Sequence, residues 1–284
     1  MKFSLIIGTL NRLEAIKSCL NSINNQTYKD YEVIIIDQSE SDETERYISN
    51  VIDNRIVYRH VSFRGLSRAR NEALKLARGE YICLMDDDAY YDDRYLERAY
   101  ANCDPNKVLS GYIYDTMKQT DFVSYRDKFE KHKMQIREIM RTCPSAALII
   151  PRGLIDKCGF FDERFGVGAE FGSGEETDLL LRGIKRGFVI EYIPDMTLKH
   201  PVPIKEGIVE SVAKRAKYFE GLGALYKKHL IIEGMRELKW CYVEVWLKFY
   251  IKKLLFFKYS ISDTNKLISG FKKGLENMVQ EPIR

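Results

Sequence analysis

The sequence predicts an α/β fold: a Rossmann-like opening half on a parallel sheet, a mixed central sheet beyond it, and a helical C-terminal appendage. Three observations carry this. Short apolar runs at residues 3–7, 33–36, 56–58 and 81–85 read as buried strands, and the segments separating the first, second and last of them carry helical spacing. That alternation is how parallel strands joined by crossover helices are written in sequence. From residue 205 onward strand alternation gives way to helical spacing rich in lysine and aromatic residues.

The first helix is expected directly after the first strand, with Asn11 as its cap, Glu14 completing an Asn-x-x-Glu box, and Leu13, Ile16, Leu20 and Ile23 on one face. Another is expected over residues 67–77, with Gly79 as its stop signal. Beyond residue 107 the strand candidates are 108–114, 146–150 and 188–193. A charged helix is expected around 122–141 and another from about Glu175, so parallel and antiparallel pieces should mix. There is no internal repeat and no low-complexity linker.

Bulk properties narrow the class of partner. A chain of 284 residues with 45% hydrophobic content can bury a large core. The formal net charge of +4 comes from Lys and Arg interspersed with Asp and Glu, which gives no nucleic-acid footprint. Six cysteines occur without a C-x-x-C pair, and Cys19, Cys83 and Cys158 lie in apolar-periodic segments, which suits reduced thiols. The apolar run at the N-terminus is too short for a signal peptide. Residues 246–257 are interrupted by Lys248, Lys252 and Lys253, short of the roughly 20 apolar residues that span a bilayer. The expectation is a cytoplasmic protein, soluble or peripheral at the cytoplasmic face of the membrane.

In open α/β sheets ligands bind at the carboxyl ends of the strands. The residues there are Thr9, Asn11 and Arg12 after the first strand, Asp37 and Gln38 after the second, and Asp86, Asp87 and Asp88 after the fourth. One strand-end Asp is usually a turn former; three strands ending in polar residues point to a site. In an extended segment Asp86 and Asp88 face the same way while Asp87 turns aside. Their hard oxygens suit Mg²⁺ or Mn²⁺, which in turn binds a diphosphate. Taken alone, the run reads equally well as a solvated acidic turn.

The strings Ser4-Leu5-Ile6-Ile7-Gly8-Thr9-Leu10-Asn11-Arg12, Val33-Ile34-Ile35-Ile36-Asp37, Gly65-Leu66-Ser67-Arg68-Ala69-Arg70-Asn71 and Gly79-Glu80-Tyr81 leading into Asp86-Asp87-Asp88 resemble, in order and spacing, the family 2 glycosyltransferases. The resemblance continues through Gly159-Phe160-Phe161-Asp162-Glu163 and Gly174-Glu175-Glu176-Thr177-Asp178-Leu179, covering roughly residues 1–200. It implies a GT-A fold with a catalytic domain over 1–204, split into a nucleotide-binding half (1–107) and an acceptor-binding half (108–204), followed by a helical region over 205–284. It further implies an inverting transfer of sugar from a nucleotide-sugar donor, UDP-linked by preference, to a glycan or lipid-linked glycan acceptor. By the family pattern Thr9, Asn11, Arg12, Asp37 and Arg70 lie around the nucleotide, joined by Asp86 and Asp87, while Asp86, Asp88 and His200 are the candidate ligands of Mn²⁺ or Mg²⁺. A lone histidine is also an ordinary structural residue.

Two departures from the family pattern stand out. Many members read Asp-Asp-Gly-Ser at the second strand where this chain has Asp37-Gln38-Ser39-Glu40, and the usual Glu-Asp pair is here Glu175-Glu176. By position Glu176 is the catalytic base that takes the proton from the acceptor hydroxyl, with Glu175 turned toward the acceptor or the helix N-terminus. In the appendage, residues 239–258 mix aromatics with lysines; they suit a helix at a membrane interface, one packed on the catalytic domain, or a homodimer contact. An oxidoreductase is excluded because Gly8-Thr9-Leu10-Asn11-Arg12-Leu13 lacks G-x-G-x-x-G. A sugar nucleotidyltransferase would need a glycine- and lysine-rich N-terminal loop that is missing, and a non-catalytic glycan-binding scaffold of the same fold is the remaining alternative.

Overall fold

In a computed structural model the structure describes residues 1–122, 128–201, 212–255 and 261–279. It opens with β1 (Phe3–Thr9), α1 (Leu13–Asn24), β2 (Tyr31–Asp37), α2 (Glu43–Ser49), β3 (Ile56–His60), α3 (Leu66–Leu76) and β4 (Tyr81–Asp86). The four strands are parallel, in the order β3-β2-β1-β4. Successive side chains of these strands point to opposite faces. Leu5, Ile7, Val33, Ile35, Cys83 and Met85 therefore join one core, while Ile6, Ile34, Ile36, Ile82 and Leu84 join the other. Continuous apolar runs, rather than alternating ones, are what a sheet covered on both faces requires.

The chain continues through β5 (Tyr90–Tyr91), α4 (Tyr95–Asn102), β6 (Lys107–Asp115), β7 (Thr120–Asp121), β8 (His132–Lys133), α5 (Ile136–Thr142), β9 (Leu148–Pro151), α6 (Arg152–Cys158), α7 (Glu175–Lys185) and β10 (Val189–His200). β9 joins β4 and β6 antiparallel, and β10 runs parallel to β6, so one mixed sheet extends in the order β3-β2-β1-β4-β9-β6-β10-β5. The strand expected at 188–193 runs on to His200. A bulge between Ile193 and Thr197 takes Pro194 out of the ladder, which is how a proline is tolerated inside a strand.

The charged helix expected at 122–141 is corrected. Residues 123–127 lie outside the described residues, and only Ile136–Thr142 is helical. The backbone before it goes to the sheet instead: His132 and Lys133 pair with Tyr192 and Glu191, and Met134 N–H donates to Ile190 O. The capping box at Asn11 is corrected as well. Arg12 occupies the cap position without a side-chain cap bond, and Glu14 pairs with Lys17. Asn11 has a left-handed φ of 55°, which Asn tolerates. Gly79 does not stop α3 by adopting a positive φ; it lets the chain pass against β1, where a Cβ would stand 2.5 Å from Ser4 N.

The appendage consists of α8 (Val212–Leu225), a π-type turn at Tyr226–Ile232, α9 (Lys239–Leu255) and α10 (Ile261–Asn277). Helix α10 lies directly on α8 because Gly270 and Gly274 carry no Cβ; one at either position would collide with Ala216 O or Glu220 O. A third core around Phe271, Phe249 and Tyr226 holds these helices together and takes in Leu181 of α7. One face of α9 is thus packed inward, as one reading of residues 239–258 expected; residues 256–258 lie outside the described residues. No helix among the described residues is long and apolar enough to cross a membrane.

Candidate active site

Parallel register brings the three polar strand ends together. Thr9 pairs with Asp37 and Gly8 with Asp86, so the loops after β1, β2 and β4 leave one edge of the sheet side by side. The loops are tied laterally. Asn11 N–H donates to Ser39 Oγ (2.7 Å), Glu40 N–H to Asn11 Oδ1 (3.2 Å) and Gln38 N–H to Thr9 O (2.9 Å). Asp37 is wholly buried, its carboxylate accepting from Ser39 N–H and from the Tyr58 hydroxyl, both at 2.8 Å. Burial and this bond raise the Tyr58 pKa, keeping it a donor. Gln38 lies beside it, nearly buried, and its Oε1 has no partner.

The three aspartates separate in direction. Asp87 turns inward, accepting from Thr9 Oγ1 (2.8 Å) and Arg12 (2.6 Å); desolvation pushes its carboxyl up to about 6 against the pull of Arg12. Asp86 and Asp88 face His200, whose Nε2 stands 3.7 and 3.2 Å from their oxygens. Arg12 also pairs with Asp88. Against desolvation, His200 and Arg12 hold Asp88 down at about 2, and the two aspartates raise His200 to about 9. Asp86 is also held low, by His200 and Arg70 despite its burial.

Two carboxylates and an imidazole on one side form an oxygen-and-nitrogen donor set that fits Mn²⁺ or Mg²⁺. The Nδ1 of His200 is buried without a partner. The donors are not preassembled as a cage, and among the described residues no three of them stand in a ligating array. Arg12, Arg70 and His200 neutralise the carboxylates where they stand.

Arg70 links the end of β4 to the start of α7. Only 1% exposed, it donates to Asp86 Oδ1 (3.2 Å) at the end of β4 and to Glu175 Oε1 (3.0 Å) at the start of α7. Glu175 is therefore turned inward to an arginine. Glu176, one residue on and partly exposed, is hydrogen-bonded to Glu175, and its carboxyl is pushed well above the usual range, first by desolvation and then by the charge of Glu175.

The supports of this part of the site have no local mark in the sequence. Ser145 Oγ reaches Asp86 (3.4 Å). The first turns of α3 carry the loop before α7: Ser67 Oγ donates to Phe165 O (2.5 Å), Leu66 N–H to Val167 O (3.0 Å), and the Asn71 amide clasps both backbone groups of Phe161. The string that contains Ser67, Arg70 and Asn71 is visible, but apart from Asp86 the partners named here lie 90 or more residues away.

The family model for glycosyl transferase family 2 matches residues 4–159. The chain belongs to that family. Among curated relatives of this family 2 chain, the Escherichia coli UDP-Glc:alpha-D-GlcNAc-diphosphoundecaprenol beta-1,3-glucosyltransferase WfaP is 34% identical over 38% of this chain and 44% of its own length. The chain thus spans under half of that relative. Among solved structures, Staphylococcus aureus TarS 1–349 in complex with UDP-GlcNAc aligns over 98% of this chain and 82% of its own, with TM-score 0.66 and 18% identity. The Pyrobaculum calidifontis mannosyltransferase PcManGT in complex with GDP-Man and Mn²⁺ aligns over 96% and 80%, with TM-score 0.60 and 18% identity. The fold is GT-A, with the helical region appended.

Proposed function

We propose that this family 2 chain transfers a sugar, with inversion, from a UDP-sugar to a hydroxyl of a glycan or lipid-linked glycan, residues 1–107 holding the nucleotide and 108–204 the acceptor. The observation that carries this is the convergence at one sheet edge of Asp86, Asp88 and His200 with the Arg70–Glu175–Glu176 chain. The names of WfaP and of the TarS complex, a glucosyltransferase and a UDP-GlcNAc-bound protein, support the donor class. The Mn²⁺ of the mannosyltransferase complex supports the cofactor.

In this reading Asp86, Asp88 and His200 would hold Mg²⁺ or Mn²⁺, which when bound neutralises charge on the diphosphate leaving group. Thr9, Asn11, Arg12, Asp37 and Asp87 border the nucleotide. The acceptor oxygen bonds to the anomeric carbon as the bond from that carbon to the diphosphate oxygen breaks, and Glu176 takes the acceptor proton. Its raised pKa makes it a stronger base than an ordinary carboxylate, while Arg70 holds Glu175 in place beside it. Two measurements on the purified chain test this. Mn²⁺-dependent binding of UDP should be present and lost in Asp88→Ala, and NMR should give a product of inverted configuration. Unchanged binding in that variant removes the metal assignment, and a retained configuration removes the single displacement.

A further inference from the structure

The outer face of α9 has no structural role in the described chain. Its inner side, with Phe249 and Cys241, is buried against α8 and α10. At helical spacing the opposite side carries Trp240, Leu247, Ile251 and Leu254, and each of these is at least half exposed. This stripe is edged by lysines on both flanks, Lys248 and Lys252 on one and Lys239 and Lys253 on the other. Over residues 239–255 the four lysines stand against one carboxylate, Glu244.

Beside the stripe, between α5, α8 and α9, runs a groove of about 170 Å³ with Met140, Leu222 and Phe249 in its floor and Arg137, Arg141, Lys248 and Lys252 along its rim. Glu244 is shared by Arg137 (3.0 Å), Arg141 and Lys248 (3.1 Å), so one negative charge serves three positive ones. Desolvation and then the neighbouring Arg141 and Arg137 lower the Lys248 pKa, the mark of a site with surplus positive charge. An apolar floor under a cationic rim matches a phosphate carried on a hydrocarbon chain.

We propose that α9 lies on an anionic lipid surface with its apolar stripe in the interface, and that the adjoining groove receives the phosphate and first methylenes of one lipid. Lysines along both edges of an apolar stripe can reach anionic headgroups while their stems stay in the interface. A second copy of the chain fits less well, because a two-fold contact meets the same patch on its partner and would set these lysines against each other. Two short chain segments connect the groove to the candidate active site. Arg141 is four residues before Ser145, which bonds Asp86, and Leu225, next to groove-lining Tyr226, abuts Gly174 immediately before Glu175. Lipid held there would keep a lipid-linked acceptor near the chain; this consequence rests on the transfer reading, whereas the docking itself does not.

The test is flotation of the full chain with vesicles of phosphatidylglycerol or of phosphatidylcholine. Binding to the anionic vesicles alone is expected, falling as salt rises. Leu247→Asp with Ile251→Asp, and separately Arg137→Glu with Lys248→Glu, should each weaken it at least tenfold, with Tm and UDP binding of the exposed-stripe variant unchanged. Absence of binding to both vesicle types, or wild-type binding by both double variants, overturns the proposal. So does a concentration-dependent dimer that the stripe variant abolishes in the absence of vesicle binding. Because UDP binding is read separately, failure of the transfer reading would leave vesicle binding intact, and failure of docking would leave nucleotide binding intact.

Discussion

Asp178 offers the sharpest test of how the appendage is joined to the sheet. It is wholly buried on α7 and accepts from Arg182 Nε (2.9 Å), Lys228 Nζ (2.6 Å) and His229 Nε2 (2.8 Å), the last two from the π-type turn after α8. Removing one partner of a buried ionic cluster costs about 3–5 kcal/mol. In Asp178→Asn the loss is offset in part. Lys228 keeps Asp162 (2.8 Å), Arg182 keeps the carbonyls of Cys158 and Phe160, and His229 can shed its proton. The expected cost is therefore about 3 kcal/mol, and at roughly 2 °C per kcal/mol for a chain of this size the melting temperature should fall by about 6 °C.

The pH dependence follows from two opposite shifts. Despite burial, His229, Arg182 and Lys228 hold the Asp178 pKa far below the usual range, so its contribution is present above an unfolded value of about 4 and is lost as pH falls further. Asp178 and Glu233 raise His229 against its desolvation. That contribution is complete below about 6.5 and is lost as pH rises through the folded value. The stability gap between wild type and Asp178→Asn should thus be widest between about pH 4 and pH 6.5 and narrow on either side. Calorimetry of both proteins from pH 3 to 9 reads it directly. A loss under about 1 kcal/mol, or a gap that does not change with pH, refutes this account of the cluster.

Glu176→Gln keeps size and polarity but accepts no proton, so turnover should drop roughly 10²–10⁴-fold with UDP affinity nearly unchanged; steady-state kinetics would expose a fully active variant. The acid limb of kcat/KM in the wild type should lie above the ordinary carboxylate range, since Glu176 must lose a proton held at a raised pKa. Glu175→Gln removes the charge that raises Glu176 and leaves Arg70 short of a buried partner, so that limb should move to lower pH while Tm falls; a pH profile that stays in place argues against the coupling. Gly274→Ala drives a methyl into the α8 backbone at Glu220 and should destabilise the appendage by about 1–3 kcal/mol, measurable as a lowered urea midpoint.

The parts of this protein legible in its sequence are those set by local periodicity. Apolar runs place β1, β2 and β4, and alternation places Asp86 and Asp88 on one side, where both face His200, with Asp87 turned to Thr9; Arg12 bridges Asp87 and Asp88. Misreadings arose where a distant strand or loop claims a residue. Asn11 looks like a cap until Ser39 and Glu40 arrive beside it. The charged segment before α5 looks helical until β10 offers its edge. His200 looked like a residue after a short strand, because the bulge that carries β10 past Pro194 has no local mark except the proline itself. In the sequence Arg70 reads as a nucleotide contact, while its link to Glu175 spans a separation of 105 residues.

The loop before α7 divides the labour of change and constancy. It is closed at its base by Gly166 N–H on Phe171 O (2.8 Å), by the Ser67–Phe165 bond and by the packed rings of Phe165 and Phe171, while Val167, Gly168 and Glu170 at its tip are exposed. The ladder of β1 with β2 and β4 tolerates no such freedom, since one inserted residue would reverse every side chain of a strand covered on both faces. Tip sequences can therefore be exchanged or lengthened as a cassette, with the strand-end carboxylates as a fixed socket. Under the proposed transfer reading, a library confined to residues 167–170 is the economical place to seek altered acceptor choice.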